Sequence, residues 1–295
     1  MQKPKIIAVV GPTASGKTSL GIYLAQKLGG EVISADSRQV YRGLNIGTGK
    51  VTKKEMQGVP HHLLDVISPK KQFTVSDFVR LAEKAYSLIL TNKRIAIVVG
   101  GTGLYVDMLT GRMSYPDVPP NPALRKKLET KTAAQLLALL AKADPARAAT
   151  IDAHNSRRLI RALEIAKAIG KSPAQNPEPK YDVLWLGLKP AQPKLEANIH
   201  KRLLARLKRG MIAEAKRLHK QGVSYKRMDE LGLEYRYLAL LLQGKISKKE
   251  FESQLEQAIR QYAKRQATWF KRNKDIQWIG SKTEALRLAK AFLSR

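Results

Sequence analysis

Residues 11–18 read Gly-Pro-Thr-Ala-Ser-Gly-Lys-Thr, and their types and spacing are typical of a loop that binds phosphate groups. In such a loop, backbone N–H groups and the positive end of the following helix converge on one anion. Lys17 adds a full positive charge, and the hydroxyl of Thr18 is placed to bind Mg²⁺. The candidate site for a di- or triphosphate is therefore the set Gly11, Pro12, Thr13, Ala14, Ser15, Gly16, Lys17 and Thr18.

The elements around this loop are those that a phosphate site needs. The apolar run 6–10 before it predicts a buried strand, and the apolar spacing of residues 20–28 after it predicts a helix. Further along, strand patterns at 31–35 and 94–99 enclose a helix pattern at 76–92, for which Ser76 is a plausible N-cap. This alternation favours an α/β fold with a mostly parallel sheet, which binds ligands at the carboxyl ends of its strands.

The middle of the chain departs from this pattern. Pro-rich stretches at 116–122 and 172–179 flank helix patterns at 123–142 and 155–169, so we predict a helical insertion over 121–179. The predicted core domain is then made of residues 1–120 and 180–295.

The core domain resumes after the insertion. A strand pattern covers 181–188, a mainly helical and basic part covers 194–275, and 276–279 is a candidate last short strand before a C-terminal helix.

The charge of the chain points to a polyanionic partner. The 295 residues hold 54 Lys and Arg against 24 Asp and Glu, a formal charge of +30. Residues 198–295 alone hold 24 basic and 9 acidic residues, which is half of the excess. Nucleic acid is the leading candidate, with an anionic membrane surface as the second.

Composition also excludes several classes of protein. No apolar stretch approaches the ~20 residues of a membrane-spanning helix, and residues 1–5 lead straight into the first strand, without the pattern of a signal peptide. The chain has no cysteine, which excludes disulfides, thiol catalysis and cysteine-based zinc sites. We therefore expect a cytoplasmic enzyme with no membrane partner.

Several further runs keep a recognisable order along almost the whole chain. They are Asp36-Ser37-Arg38-Gln39-Val40-Tyr41-Arg42-Gly43, Ile46-Gly47-Thr48, Pro60-His61-His62-Leu63-Leu64-Asp65, Gly100-Gly101-Thr102-Gly103-Leu104-Tyr105, Arg157-Arg158-Leu159-Ile160-Arg161-Ala162-Leu163-Glu164 and Lys264-Arg265-Gln266-Ala267-Thr268-Trp269-Phe270. Together with the phosphate loop, this set closely resembles the tRNA dimethylallyltransferase (tRNA isopentenyltransferase) family, bacterial type.

The resemblance implies a P-loop NTPase-like parallel core with a helical insertion and a basic helical C-terminal part. It implies transfer of a dimethylallyl group from dimethylallyl diphosphate to the exocyclic amine of the adenosine 3′ of the anticodon, in tRNAs that read codons beginning with U. The phosphate loop would hold the prenyl diphosphate with Mg²⁺, and no nucleotide hydrolysis would be needed. The partners would be dimethylallyl diphosphate and the tRNA anticodon stem-loop, and we expect a monomer.

The resemblance also assigns catalytic roles to Asp36, Thr102, Lys17 and Arg206. Donors near the leaving diphosphate lower the barrier, which suits Lys17, and a carboxylate near the attacking amine takes its proton, which suits Asp36. Thr102 matches the family threonine at the reacting centre, and Arg206 matches the family's diphosphate-binding arginine.

Other interpretations of these residues stay open. Asp36 could order Mg²⁺ through water, and Thr102 could be a helix N-cap. Arg202 lies one turn from Arg206 on the same predicted helix and could take its place, or both could belong to a solvated basic face.

The residues that would contact tRNA follow from the same motifs. They are Asp36, Ser37, Arg38, Gln39, Thr102, Arg125, Arg157, Arg158, Leu159, Ile160, Arg161, Lys264, Arg265, Lys271 and Arg272. Within the last run we expect Trp269 and Phe270 to pack into the core while the cations face outward. For His61 and His62 we favour structural or pocket roles over metal ligation.

Two runs depart from the family pattern. The family often has Met-Asp-Ile-Gly-Thr-Ala-Lys-Pro where residues 44–51 read Leu-Asn-Ile-Gly-Thr-Gly-Lys-Val, and an Ile-Gly-Tyr where residues 231–235 read Leu-Gly-Leu-Glu-Tyr. These differences bear on fine tRNA contacts more than on the chemistry. The Cys/His zinc finger of eukaryotic members is absent from the sequence.

Three other functions compete with this hypothesis. An adenylate isopentenyltransferase would share the loop, Asp36 and Thr102, but would not need the charge of residues 198–295 or the helical insertion. A P-loop small-molecule kinase would use the loop for ATP and would need further Arg or Lys groups in a lid. An RNA-binding protein without catalysis would not need a candidate for every catalytic role.

Overall fold

The computed structural model describes residues 3–114, 116, 118–171 and 179–295. The chain forms two compact units, an α/β unit of Met1–Arg112 with Pro179–Arg295 and a helical unit of Met113–Glu178. The predicted division at 120/121 and 179/180 stays a prediction, and the Pro-rich stretch at 172–178 lies outside the described residues, as do positions 115 and 117. Among the described residues, no helix is long and apolar enough to cross a membrane.

The α/β unit is built on a sheet whose neighbouring strands all run parallel. The described strands are β1 Lys5–Val10, β2 Gly30–Ser34, β3 His61–His62, β4 Ile95–Gly100, β5 Asp182–Gly187 and β6 Gln277–Trp278. Their order is β3-β2-β4-β1-β5-β6. The predicted α/β class is therefore confirmed, as are the strands predicted at 6–10, 31–35, 94–99 and 181–188 to within a residue at each end.

Helices cover both faces of this sheet. The helices of the α/β unit are α1 Lys17–Leu28, α2 Lys53–Met56, α3 Val75–Thr91, α4 Gly103–Thr110, α9 Gln192–Lys208, α10 Met211–Lys220, α11 Tyr225–Leu231, α12 Leu233–Leu242, α13 Lys248–Phe270 and α14 Lys282–Leu293. The helical unit, taken by itself, contains α5 Pro122–Leu128, α6 Ala133–Ala143, α7 Pro145–Thr150 and α8 Ser156–Ile169. One face packs Val98 against Phe78 of α3, and the other packs Val9 against Leu24 of α1. Burial of both faces explains why the strand sequences are continuously apolar.

The prediction of Ser76 as the N-cap of α3 is wrong. The N-cap is Thr74, whose side chain accepts a hydrogen bond from the Asp77 N–H, while the Asp77 carboxylate accepts from the Thr74 N–H at 3.0 Å. This reciprocal capping box satisfies two free N–H groups at once, which a cap at residue 76 would not do.

A separate core joins the C-terminal helices to the chain that follows β2. Val40 and Leu44, after β2, pack with Leu203 of α9, Tyr235 of α12 and Phe251 of α13. These helices therefore support the loop that begins at the carboxyl end of β2, and this loop forms part of the site described below.

The helical unit has its own core, with Leu136, Leu140 and Leu159 fully buried. The helix pattern predicted over 123–142 corresponds to two helices, since α5 ends at Leu128 and α6 begins at Ala133. Thr132 starts α6 with a capping box to Gln135, so the chain leaves one helix and enters the next within four residues.

Candidate active site at the carboxyl edge of the sheet

A cavity of about 610 Å³ opens at the carboxyl ends of β1, β2 and β4. Its wall includes the phosphate loop, Asp36 from the loop after β2, and Gly101 from the loop after β4. Arg202 of α9 and Tyr262 of α13 close it from the C-terminal helices. Segments far apart in sequence therefore meet at the edge where parallel sheets bind ligands.

The phosphate loop has the backbone geometry that its sequence predicts. Gly11, Ala14 and Gly16 have φ of +143°, +60° and +97°, which turn the chain between β1 and α1. A Cβ on Gly11 would collide with the carbonyl oxygen of Leu188, so this position has no room for a side chain. Gly16 is the N-cap of α1, and its neighbours Lys17 and Thr18 start the helix with N–H groups that have no partner in the first turn.

Two hydroxyl groups of the loop are available to a bound anion. The Ser15 Oγ is buried and has no hydrogen-bond partner among the residues that the structure describes, and the Thr18 side chain is exposed on the cavity wall. A phosphate oxygen in the loop would satisfy the Ser15 hydroxyl, because a buried donor without a partner costs free energy.

Lys17 is held at the base of the loop. Its Nζ donates to the Pro12 carbonyl at 2.5 Å. Burial, and then the positive charge of Arg202, lower the pKa of Lys17 from 10.5 to about 7, against the opposing effect of Asp36. An anion in the loop would raise this pKa again, because an opposite charge favours the protonated amine.

Asp36 follows β2 directly and lies on the cavity wall. Its Oδ1 accepts from the backbone N–H groups of Arg38 at 2.8 Å and Gln39 at 3.3 Å, while its Oδ2 accepts from the Gln39 side-chain amide at 3.4 Å. The backbone bonds fix the carboxylate, and Oδ2 is left with room to accept a proton from a substrate. This geometry also suits the alternative of a water-mediated Mg²⁺ contact.

Thr102 lies beside Asp36 rather than on the cavity wall itself. Its hydroxyl accepts from the Ser37 N–H at 3.1 Å and its N–H donates to the Ala35 carbonyl at 3.2 Å. Thr102 is the N-cap of α4, but its side chain makes no capping hydrogen bond. The side chain therefore joins the loops after β2 and β4 instead of serving the helix.

Gln266 also belongs to the site, although no role for it was predicted from the motif in which it lies. Its side chain accepts from the Thr13 N–H at 2.7 Å and donates to the Gly101 carbonyl at 2.8 Å. Only 7% of its surface is exposed, so it is a buried brace between the phosphate loop and the Gly-Gly-Thr-Gly loop. The one feature of the sequence that singles out Gln266 is its place in the run 264–270.

The two candidate arginines of α9 have different surroundings. Arg202 lines the cavity, whose walls, together with the charge of Arg206, lower the Arg202 pKa. Arg206 is buried one turn later, where it donates to the Gly47 carbonyl at 2.6 Å and pairs with Glu234 at 2.8 Å. Arg202 is therefore the arginine of this pair that lines the cavity, and the role predicted for Arg206 stays a prediction.

Within the helical unit, Glu164 organises two of the predicted tRNA-binding arginines. Its carboxylate, 1% exposed, accepts from Arg125 through Nε and Nη2, both at 2.7 Å, and from Arg161 at 3.3 Å. Both arginines keep about a third of their side chains exposed. Arg157 and Arg158 on α8 are fully on the surface.

Leu159 and Ile160 do not fit the predicted contact with tRNA. Their side chains are 0% and 8% exposed and belong to the core of the helical unit. The helical period explains this, because α8 turns these two positions inward while its arginines face outward.

The basic run 264–272, at the end of α13 and just after it, likewise contains both exposed and buried side chains. Lys264, Arg265, Lys271 and Arg272 are exposed. Phe270 is 2% exposed, and Trp269 packs against the core while its indole N–H donates to Asp107 at 2.7 Å. The structure confirms the prediction that the two aromatic side chains pack inward while the cationic side chains face outward.

The paired histidines of β3 have separate protein partners. The His61 Nδ1 lies 2.9 Å from the Val59 carbonyl, and the His62 Nε2 lies 2.7 Å from Glu31. In the part of the chain that the structure describes, no three His, Cys, Asp or Glu residues group to hold a metal. Asp65 pairs with Lys50 at 2.5 Å.

Comparison with known proteins shows which family this chain matches. Residues 39–273 match the model of the family described as IPP transferase. The chain is 39% identical over 292 residues to a tRNA dimethylallyltransferase of Geotalea uraniireducens, covering 98% of this chain and 96% of that one. It is 41% identical to the tRNA dimethylallyltransferase of Shouchella clausii, covering 95% and 92%.

Solved structures are similar over the same length. The tRNA isopentenylpyrophosphate transferase of Bacillus halodurans matches with a TM-score of 0.74 and 37% identity, over 99% of this chain and 96% of that one. A eukaryotic dimethylallyltransferase, described as acting on tRNA, matches with a TM-score of 0.87 and 27% identity, over 99% and 80%.

Proposed function

The chain belongs to the IPP transferase family, and we propose that it acts as a tRNA dimethylallyltransferase. It is a prenyl transferase that modifies tRNA. The supporting observation is that one cavity holds both a phosphate loop and the Asp36 carboxylate, so a diphosphate donor and a nucleophile can meet there.

The donor substrate is dimethylallyl diphosphate, with its diphosphate in the loop of residues 11–18. As the allylic C–O bond breaks, negative charge builds on the leaving diphosphate. Backbone N–H groups of the loop, the Ser15 hydroxyl, Lys17 and Arg202 surround that position and stabilise the charge. Because Lys17 gains a proton most easily when an anion is near, the site is most cationic when the substrate is bound.

The acceptor is the exocyclic amine of the adenosine 3′ of the anticodon, in tRNAs that read codons beginning with U. The amine becomes positively charged as it attacks the allylic carbon, and Asp36 Oδ2 takes its proton. Ser37, Gln39 and Thr102 hold the loop on which Asp36 lies. The Asp36 carboxylate is oriented before the substrate arrives, because backbone N–H groups already bind its Oδ1.

Mg²⁺ would bind at the start of α1. Thr18 offers a hydroxyl on the cavity wall. Such a protein donor fits Mg²⁺, which often keeps its waters and takes other ligands from substrate phosphates. The ion would neutralise charge on the diphosphate.

The target adenosine has to leave its stack in the anticodon loop, at a cost of a few kcal/mol. Exposed cations on both units can hold the phosphate backbone during this step. They include Arg157, Arg158, Lys264, Arg265, Lys271 and Arg272. Such an enzyme would work in the cytoplasm, where tRNA is modified.

One assay tests this function against its competitors. The protein is incubated with Mg²⁺ and dimethylallyl diphosphate, with unmodified tRNA in one tube and AMP or ATP in another, and nucleosides are read by mass spectrometry. We expect isopentenyladenosine from tRNA alone. Prenylated free nucleotide would assign the chain to the adenylate isopentenyltransferases, and ATP consumption without prenylation would favour a kinase.

A further inference from the structure

The loop of residues 45–49 forms part of the cavity wall through Thr48 and Gly49. Three consecutive backbone N–H groups of this loop point at one carboxylate, that of Glu214 on α10. Asn45 and Ile46 donate to its Oε2 at 3.0 and 2.8 Å, and Gly47 donates to its Oε1 at 2.9 Å. Backbone N–H groups arranged in this way form an anion-binding nest, and here the anion is a side chain of the protein.

Glu214 is 1% exposed, so its carboxylate depends on these donors. A buried carboxylate is costly unless hydrogen bonds satisfy it. The fourth donor is the Tyr235 hydroxyl, at 2.7 Å from Oε1. Burial, and then the neighbouring Glu214 carboxylate, raise the pKa of Tyr235. Each oxygen therefore accepts two hydrogen bonds.

The nest sets the direction of the next carbonyl along the chain. The Gly47 carbonyl accepts from Arg206 at 2.6 Å, and Arg206 in turn pairs with Glu234. Arg206 is the neighbouring charge that lowers the pKa of Arg202 on the cavity wall. A Cβ on Gly49 would lie 3.0 Å from the Arg202 guanidinium, so the loop is in close contact with this arginine too.

The loop is fixed from its other side by Tyr235. A Cβ on Gly47 would lie 2.7 Å from the Tyr235 ring, so the ring fills the space next to the loop backbone. Glu234 and Tyr235 are neighbours in α12, in the run 231–235 that departs from the family pattern. Through these two residues the run contacts Arg206 and the loop.

We propose that Glu214 is a positioning residue for the diphosphate end of the cavity. It holds the loop of residues 45–49 so that the Gly47 carbonyl fixes Arg206, and Arg206 together with the loop fixes Arg202. Glu214 touches no substrate. This inference rests on the proposed function, because it assumes that a diphosphate binds beside Arg202.

Glu214→Gln is the first test, since the amide keeps the size of the carboxylate. One of its two ends can no longer accept from N–H groups, so at least one donor of the loop loses its partner. We expect the dissociation constant for inorganic pyrophosphate with Mg²⁺, measured by calorimetry, to rise about tenfold. The affinity for tRNA should stay within about twofold, because the nest lies behind the cavity wall.

Tyr235→Phe is the matched control. It removes one hydrogen bond to Glu214 and leaves the three loop N–H groups paired, so pyrophosphate affinity should change less than about threefold. A loss as large as that of Glu214→Gln would mean that any disturbance of this core weakens the site, and would overturn the positioning role.

A double-mutant cycle with Arg206→Ala tests whether Glu214 acts on the cavity through Arg206. Because Glu214 acts in part through Arg206 and in part through the loop itself, Glu214→Gln should have a smaller effect on pyrophosphate binding once the arginine is gone. Additive losses would overturn the proposal. A wild-type protein that does not bind pyrophosphate would instead contradict the proposed function.

A second variant covers the case in which Glu214→Gln does not fold. Gly47→Ala places a methyl group against the Tyr235 ring and displaces the same loop while Glu214 stays in place. It should weaken pyrophosphate binding in the same direction, and unchanged binding by folded Gly47→Ala would refute the role of the loop.

Discussion

The side-chain oxygen of Gln266 accepts a hydrogen bond of 2.7 Å from the backbone N–H of Thr13, which lies 253 positions earlier in the chain. The amide of the same side chain donates to the Gly101 carbonyl at 2.8 Å. One glutamine thus sets the spacing of the two glycine-rich loops at the carboxyl edge of the sheet. The position of the phosphate loop therefore depends on α13, which is distant from it in sequence.

Gln266→Ala should therefore impair both stability and catalysis. Two buried backbone groups lose their partners, which costs about 1–3 kcal/mol each, so the melting temperature should fall and kcat/KM for dimethylallyl diphosphate should drop at least tenfold. Thermal unfolding and initial rates measure these effects. Gln257→Ala, at an exposed position of the same helix, is the control and should leave both unchanged.

Asp36→Asn should abolish prenyl transfer and leave tRNA binding largely intact. The amide cannot take the proton of the attacking amine, and loss of a general base costs about 10²–10⁴ in rate. Single-turnover kinetics with saturating tRNA, together with a filter-binding assay, separate the two effects.

Asp182→Asn, at the exposed start of β5, is the matched control. A variant of Asp36 that turns over normally but fails to bind tRNA would contradict the assignment of Asp36 as the base.

Arg202→Ala and Arg206→Ala should have different effects on diphosphate binding and on stability. Removal of Arg202 should weaken diphosphate binding with little change in melting temperature, because Arg202 faces the cavity. Removal of Arg206 leaves Glu234 and the Gly47 carbonyl without their partner, so it should also destabilise the fold by about 3 kcal/mol.

Calorimetric binding and urea unfolding measure the two effects. Arg209→Ala, at the exposed end of α9, is the control. The reverse pattern, with Arg206 affecting binding alone, would make Arg206 the diphosphate ligand that the family resemblance implies.

Diphosphate affinity should depend on pH through Lys17. The pKa of Lys17 in the empty site is about 7, so above that pH the lysine is neutral and must gain a proton when the anion binds. Affinity should therefore fall as the pH rises from about 7, by up to tenfold for each pH unit, and this group should contribute no change below its pKa.

Calorimetry in buffers of different ionisation enthalpy counts the proton directly. Lys17→Met should bind more weakly at every pH and lose this proton uptake. Uptake that persists in the variant would move the effect to another group.

Binding of tRNA should be strongly salt-dependent, because cations that contact phosphates release counterions. Arg157→Ala with Arg158→Ala should weaken binding and reduce the slope of log K against log salt by about 2. Leu159→Ala should instead destabilise the helical unit by about 2–5 kcal/mol, since it empties part of the core. Affinity that does not respond to salt would contradict the role of the basic surface.

The parts of the site that lie in short sequence motifs could be predicted from the sequence. The phosphate loop, Asp36 after β2 and the Gly-Gly-Thr-Gly run after β4 are each short motifs next to a strand, and the fold brings them together at one edge. β3 was missed because two residues cannot form a pattern. The predicted Ser76 cap failed because the cap two residues earlier forms a better pair of hydrogen bonds.

The supporting residues could not be predicted, because their partners lie far away in sequence. Glu214 binds the loop of residues 45–47 from 167 to 169 positions away, and Gln266 reaches Gly101 across 165. Nothing local distinguishes these side chains from other polar residues on amphipathic helices. Arg202 and Arg206 share one helix face, and only the fold tells which of them meets the cavity.

The position of α13 in the chain has a consequence for synthesis on the ribosome. The phosphate loop is translated long before Tyr262 and Gln266, which complete the cavity. A nascent chain therefore cannot assemble this cavity until α13 has been made. A chain truncated before α13 would lack both side chains and should have no intact site.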